Sequence, residues 1–133
     1  MNVESVRKIC RAFPGVVEDV KWGNNLVFSV ADKMFALVSL EPPHPLAFKC
    51  TDESFADLTE RPGLIPAPYL ARAKWVQEHS LGEALERPEL MVLLRAGYDT
   101  VVAKLPKSRR PGAPPPKATR ATRVAARQKR RLR

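Results

Sequence analysis

Apolar residues recur at spacings of three and four from Val3 to Phe13, through Val6, Ile9 and Cys10, which predicts a helix with one buried face. Asn2 is placed to cap it, Glu4 falls in the positive first turn, and Pro14-Gly15 stops the run. The pattern then breaks into short aliphatic and aromatic stretches with turn residues between them: Val17 to Trp22, Leu26 to Val30, Lys33 to Leu40 and, beyond Glu41-Pro42-Pro43-His44-Pro45, Leu46 to Cys50. Connections this short demand antiparallel pairing.

Thr51 caps a short helix with Phe55 and Leu58 inward and a stop at Arg61-Pro62-Gly63. Ala73 to Ser80 reads as a fifth strand. Pro88 suits the first turn of a last helix, in which Leu90, Met91, Leu94, Tyr98, Val101, Val102 and Leu105 keep helical spacing until Pro106. The expected fold is α+β, a two-layer sandwich of about five antiparallel strands with the N- and C-terminal helices on one face. In Lys33 to Leu40 both parities are largely apolar, with Met34, Ala36, Val38 and Leu40 on one side and Phe35 and Leu37 on the other. Helices on one face leave Phe35 and Leu37 partly bare, so a loop, a dimer contact or a partner is expected there.

Charge divides the chain more sharply than hydropathy does. Residues 1–105 hold 12 Lys/Arg against 14 Asp/Glu, whereas 106–133 hold 11 Lys/Arg and no acid. The net charge of +9 therefore belongs to the end of the sequence and not to a basic folded surface. The expected organisation is one domain over 1–106 and a disordered Lys/Arg/Ala/Pro-rich tail over 107–133, because that segment has too few large apolar residues to build a core. No apolar run approaches the roughly 20 residues of a membrane span, and the opening residues lack the apolar stretch and cleavage site of a secretory leader. A cytoplasmic protein, monomeric or a weak homodimer, is the expectation. Cys10 and Cys50 lack metal-ligand spacing and read as buried thiols.

The sequence carries no GxSxG, GxGxxG, Walker or HExxH motif. Its two histidines, His44 and His79, lie in a proline turn and at a strand end, without a carboxylate or thiol at useful local spacing. No catalytic residue, metal ligand or cofactor is assigned. The densest cluster is Pro66 to Val76, where Tyr69, Arg72, Lys74 and Trp75 follow a rigid turn. Cations neutralise phosphate and flat rings accept bases, so this composition suits nucleic acid. Lys49, Arg72 and Lys74 are the domain's expected contact set. With Arg72 and Lys74 two apart on a strand, period-two geometry aims both to one face and Trp75 to the other; a Trp75 on the helix-covered face is a core residue. In the tail, Arg109, Arg110, Lys117, Arg120, Arg123, Arg127, Lys129, Arg130, Arg131 and Arg133 are expected to contact phosphates without sequence preference. Lys33 and Lys104 read as lone solvent-facing cations. The alternative is a binding module for a small aromatic ligand or a protein, with a pocket near Trp22, Tyr69 and Trp75.

Several stretches occur together in order: Pro14-Gly15-Val16, Trp22-Gly23, Lys33 to Leu40, Ala47 to Cys50, Arg61 to Val76 and Thr100 to Lys107. This order closely resembles the MmcQ/YjbR family of bacterial proteins over residues 2–107. The resemblance implies a frataxin-like (CyaY-like) sandwich and a DNA-binding role through a double-wing arrangement, and it brings no catalytic residue. The basic tail lies outside the family pattern. Frataxin's iron chemistry does not follow, because an acidic ridge needs clustered carboxylates and the first helix offers only Glu4.

Overall fold

The computed structural model describes residues 1–111. Helix α1 runs Val3–Arg11. The Asn2 side chain accepts the Ser5 N–H at 2.9 Å, while Ser5 Oγ accepts the Asn2 N–H, a reciprocal cap that satisfies two otherwise orphaned donors. Val6, Ile9 and Cys10 are buried. The helix stops short of Phe13 because Ala12 and Phe13 tighten into bonds to Ile9 O and Cys10 O.

Strands β1 (Val16–Lys21), β2 (Asn25–Val30), β3 (Lys33–Ser39) and β4 (Leu46–Lys49) form the expected antiparallel meander. The β2–β3 hairpin turns on Ala31 and Asp32, both at positive φ, the backbone that matches the twist of the flanking strands. Between them the register slips: Phe28 opposes Ala36 and Ser29 opposes Met34, leaving Phe35 as an extra residue. This bulge rotates Phe35 onto the helix side beside Ala36 and Val38, all three fully buried in the main core. The expected parity is thereby corrected. Phe35 is covered by α-helical packing, and Met34 and Leu37 are what face the other side.

Helix α2 (Asp52–Leu58) follows, capped by Thr51. Among the described residues the sheet has six strands, where about five are expected. The short β5 (Leu64–Pro66) pairs with the outer side of β6 (Trp75–Glu78), giving the order β1-β2-β3-β4-β6-β5. Helix α3 (Arg87–Ala103) buries Leu90, Leu94, Gly97, Tyr98 and Val101. Met91, expected inward, is exposed. Phe13, Phe35 and Tyr98 form an aromatic trio with centroids 5.2–6.1 Å apart, and the Tyr98 hydroxyl donates to Pro14 O.

Two features of this packing were invisible in the sequence pattern. Glu78 is wholly buried, and its carboxylate accepts the N–H groups of Gly82, Ala84 and Leu85 at 2.8–3.0 Å, which fastens the connection into α3. A Cβ on Gly97 would lie 2.3 Å from Lys49 O, so the missing side chain lets α3 sit directly on the end of β4. Helices cover one face of the sheet. On the other, Ala47, Ala67 and Trp75 form a second small core with Met34, Leu37 and Leu70, covered by the loop between β5 and β6.

The described residues just past 106 rest on the domain. Lys107–Arg109 form a 3-10 turn, Arg110 donates to Ala103 O and Leu105 O at 3.1 Å, and Arg109 reaches Ala31 O and Asp32. The rest of the expected tail, 112–133, lies outside the described residues. Among those described, no helix is long and apolar enough to cross a membrane.

Candidate functional site

At the end of the sheet where β3 begins and β4 ends, a groove of about 450 Å³ opens beneath the C-terminus of α3. Its floor is apolar, made by Met34, Leu70, Trp75, Val101 and Leu105, and three lysines line it: Lys33, Lys49 and Lys104. Each comes from a different element. Lys33 opens β3 after the Ala31-Asp32 turn, Lys49 closes β4 opposite Trp75, and Lys104 caps the end of α3. The contact of Gly97 with Lys49 O fixes the distance between the last two elements.

The Lys49 ammonium donates to Ala73 O. Burial, then the neighbouring charges of Lys104 and Lys74, pull its pKa below the ordinary lysine value, against the opposing effect of Cys50 and Asp52. The single acid of the lining is Asp32, and it is engaged 3.4 Å from Arg109. Such a groove has surplus positive charge over an apolar floor, an arrangement that favours an anion. Arg109 stands at its rim, so the cationic segment from Lys107 onward starts from the same place.

Of the residues expected to act together, the structure separates several. Arg72 sits exposed in a 3-10 turn, Ala71–Ala73, and Lys74 is left-handed at φ 62°. Strand geometry therefore begins only at Trp75, and the period-two argument fails. The Lys74 ammonium instead lies 5.0 Å over the ring of Phe55 in α2, a cation–π contact on the helix side. Trp75 is 4% exposed and belongs to the small core on the helix-free face. It is a buried floor residue, and no base can stack on it as it stands. Trp22, Tyr69 and Trp75 do not share a pocket. Trp22 follows Lys21, whose row runs through Asn25 and Ser39 toward Pro45. Trp75 lies at the other end of the sheet, opposite Lys49. Tyr69 is fully exposed at φ 67° on the covering loop.

Lys33 and Lys104 are the site residues that sequence reasoning passed over. They stand far apart along the chain, among apolar neighbours, and only the topology brings them to Lys49. Arg109 and Arg110 are held against the domain, whereas Lys117, Arg120, Arg123, Arg127, Lys129, Arg130, Arg131 and Arg133 lie outside the described residues. Both thiols are buried; burial pushes Cys50 up to about 11 and raises Cys10 well above the ordinary thiol range. Neither is a ready thiolate at neutral pH. His44 Nδ1 lies 3.0 Å from Ser39 O.

A family model described as YjbR matches residues 11–100. The crystal structure of DR2400, a Deinococcus radiodurans protein carrying the domain DUF419, has a TM-score of 0.71 and 25% identity to this chain, covering 81% of it and 84% of the other protein. A crystal structure of a Pseudomonas syringae protein has a TM-score of 0.64 and 20% identity, with coverages of 75% and 98%, and it shares the fold. No curated protein matches the sequence.

Proposed function

The chain belongs to the YjbR family, and from that premise we propose that it is a nucleic-acid-binding protein in which the lysine groove and the basic C-terminal segment take one continuous run of phosphates. The observation that carries this reading is the convergence of Lys33, Lys49 and Lys104 on one groove whose rim is also the origin of the cationic segment. Residues 1–105 are near −2 overall, so attraction comes from this local field and from the charges that follow it, not from the domain as a whole. With Trp75 buried, the groove offers charge without a base-reading aromatic, and the binding is read as largely independent of sequence.

The test is fluorescence anisotropy of a labelled DNA duplex over a salt series with the full chain. Replacing the eight cations of 112–133 by Gln should remove most of the affinity, and Lys33→Gln and Lys104→Gln should each lower the log-log salt slope by about one. Unchanged affinity and slope in all of these variants would refute the proposal. A second reading rests on the apolar floor: a small organic anion with a hydrophobic body fits the same groove. Quenching of Trp75 fluorescence by such a compound, with no response to oligonucleotides, would favour it.

A further inference from the structure

Two helices of this domain leave an apolar trough between them. Its walls are α1 and α3, it encloses about 620 Å³, and it shares no residue with the lysine groove. Ile9 lines it from α1 and Phe13 from just past that helix, and Met91 and Val92 line it from α3. Val92 is 68% exposed and Met91 47%. Adjacent apolar side chains left open beside an apolar floor are a different matter from scattered surface residues, and they mark an interaction surface. On α3 the lining residues recur from Arg87 to Asp99 at helical spacing, a length of roughly 18 Å. That is a trough the length of three helical turns and not a closed pocket for a small molecule.

Charge selects the occupant. Lys8 stands on the α1 wall and Arg87 on the α3 wall, and among the described residues neither has an acidic partner. The one acid of the lining, Asp99, is paired with Arg95 at 3.1 Å, and Arg95 itself lies over Phe13 and Tyr98. Residues 112–133 carry eight cations and no acid, so this chain's own end is repelled from a basic rim. A second copy docked face to face would bring together two linings that each hold Lys8, Arg87 and Arg95 against the single acid Asp99. A phosphate backbone would leave the apolar floor unburied. We propose that the α1–α3 trough docks an acidic amphipathic helix of a partner protein, with its apolar stripe on Ile9, Phe13, Met91 and Val92 and its flanking carboxylates on Lys8 and Arg87.

The experiment uses the full chain and a fluorescein-labelled peptide of about 18 residues, with leucines on one helical face and glutamates on the others. It is titrated beside a scrambled peptide of identical composition and a version with Lys in place of Glu. The scramble holds net charge constant, so attraction to the basic segment 112–133 cancels in the comparison. The expected result is saturable binding of the patterned acidic peptide, roughly tenfold tighter than the scramble. Val92→Glu and Arg87→Glu should each weaken it by about as much, with melting temperature unchanged because both side chains are exposed. Equal binding of the scramble, equal or tighter binding of the Lys peptide, or an unaffected Val92→Glu overturns the proposal. So does a concentration-dependent dimer in sedimentation that Val92→Glu dissociates, since the trough would then belong to a second copy.

Discussion

Gly97 is the point at which helix propensity and packing make opposite predictions. Exchanging Gly for Ala inside a helix ordinarily stabilises it by about 1 kcal/mol. Here the new Cβ would lie 2.3 Å from Lys49 O and 3.3 Å from Lys49 C, whereas a carbon and a carbonyl oxygen in ordinary contact are about 3.3 Å apart. Helix α3 must therefore retreat from β4 by roughly 1 Å, and the obstacle is backbone that cannot swing aside. Overpacking costs about 1 to 3 kcal/mol. A backbone clash beneath the longest helix belongs at the upper end, which leaves Gly97→Ala less stable by about 2 kcal/mol after the propensity gain. For a chain of this size that is a fall in melting temperature of about 8 °C, measured by circular dichroism and by urea titration. Because the retreat also separates Lys104 from Lys49, the variant should bind DNA with a lower salt slope. A Gly97→Ala protein as stable as wild type, or more stable, would refute the reasoning.

Glu78→Ala leaves the N–H groups of Gly82, Ala84 and Leu85, of which that of Leu85 is buried, without their acceptor and should cost about 2 kcal/mol in urea; Glu78→Gln, which keeps one oxygen, should cost less. Lys49 has a folded-state pKa below its ordinary value, so its charge costs stability below that pKa, and the cost fades as pH rises from there to the ordinary value. Lys104→Gln should raise the Lys49 pKa, as read by NMR titration of the reductively methylated protein; no movement would separate the two charges. Glu18 is held below the usual carboxylate range by its hydrogen bonds from Arg7, at 2.7 and 3.0 Å. Its contribution is full above the ordinary carboxylate pKa and lost as pH falls through the folded value, so wild type and Arg7→Gln should converge in stability in acid, measured by urea titration at stepped pH.

Local signals carried the sequence reading a long way. The Asn2 cap, the Thr51 cap and the turn residues between short apolar runs specify α1, α2 and the four-stranded meander, because caps and turns are decided by side chains a few residues apart. The reading failed where one residue's conformation depends on distant neighbours. The bulge at Phe35 reverses the parity of half a strand, and nothing in Lys33 to Leu40 marks it, since every candidate side chain is apolar. Strand β5 is three residues long and ends in Pro66, too short for any periodicity. Arg72 and Lys74 sit two apart in sequence, but the 3-10 turn and the left-handed residue that follows deny them a common face. The lysine groove was hidden for a related reason: cations at 33, 49 and 104 look solitary until β4 and α3 meet at Gly97.

The two borders of the sheet bear on how the protein behaves when crowded. Among the described residues no strand pairs with the outer side of β1, and Val17 and Val20 are exposed on it. That is a template on which another strand can grow. Glu18, Asp19 and Lys21 interrupt it with charge, so a like strand approaching in either direction meets carboxylates or an ammonium before it meets valine. The opposite border is protected by brevity, since β5 offers three residues and Pro66 has no N–H to give. Among the described residues the Asp19 side chain bonds only the N–H of the adjacent Val20, so its exchange for Val should leave the monomer's stability nearly intact while opening the border to fibrous self-association, a failure of solubility with no matching failure of folding.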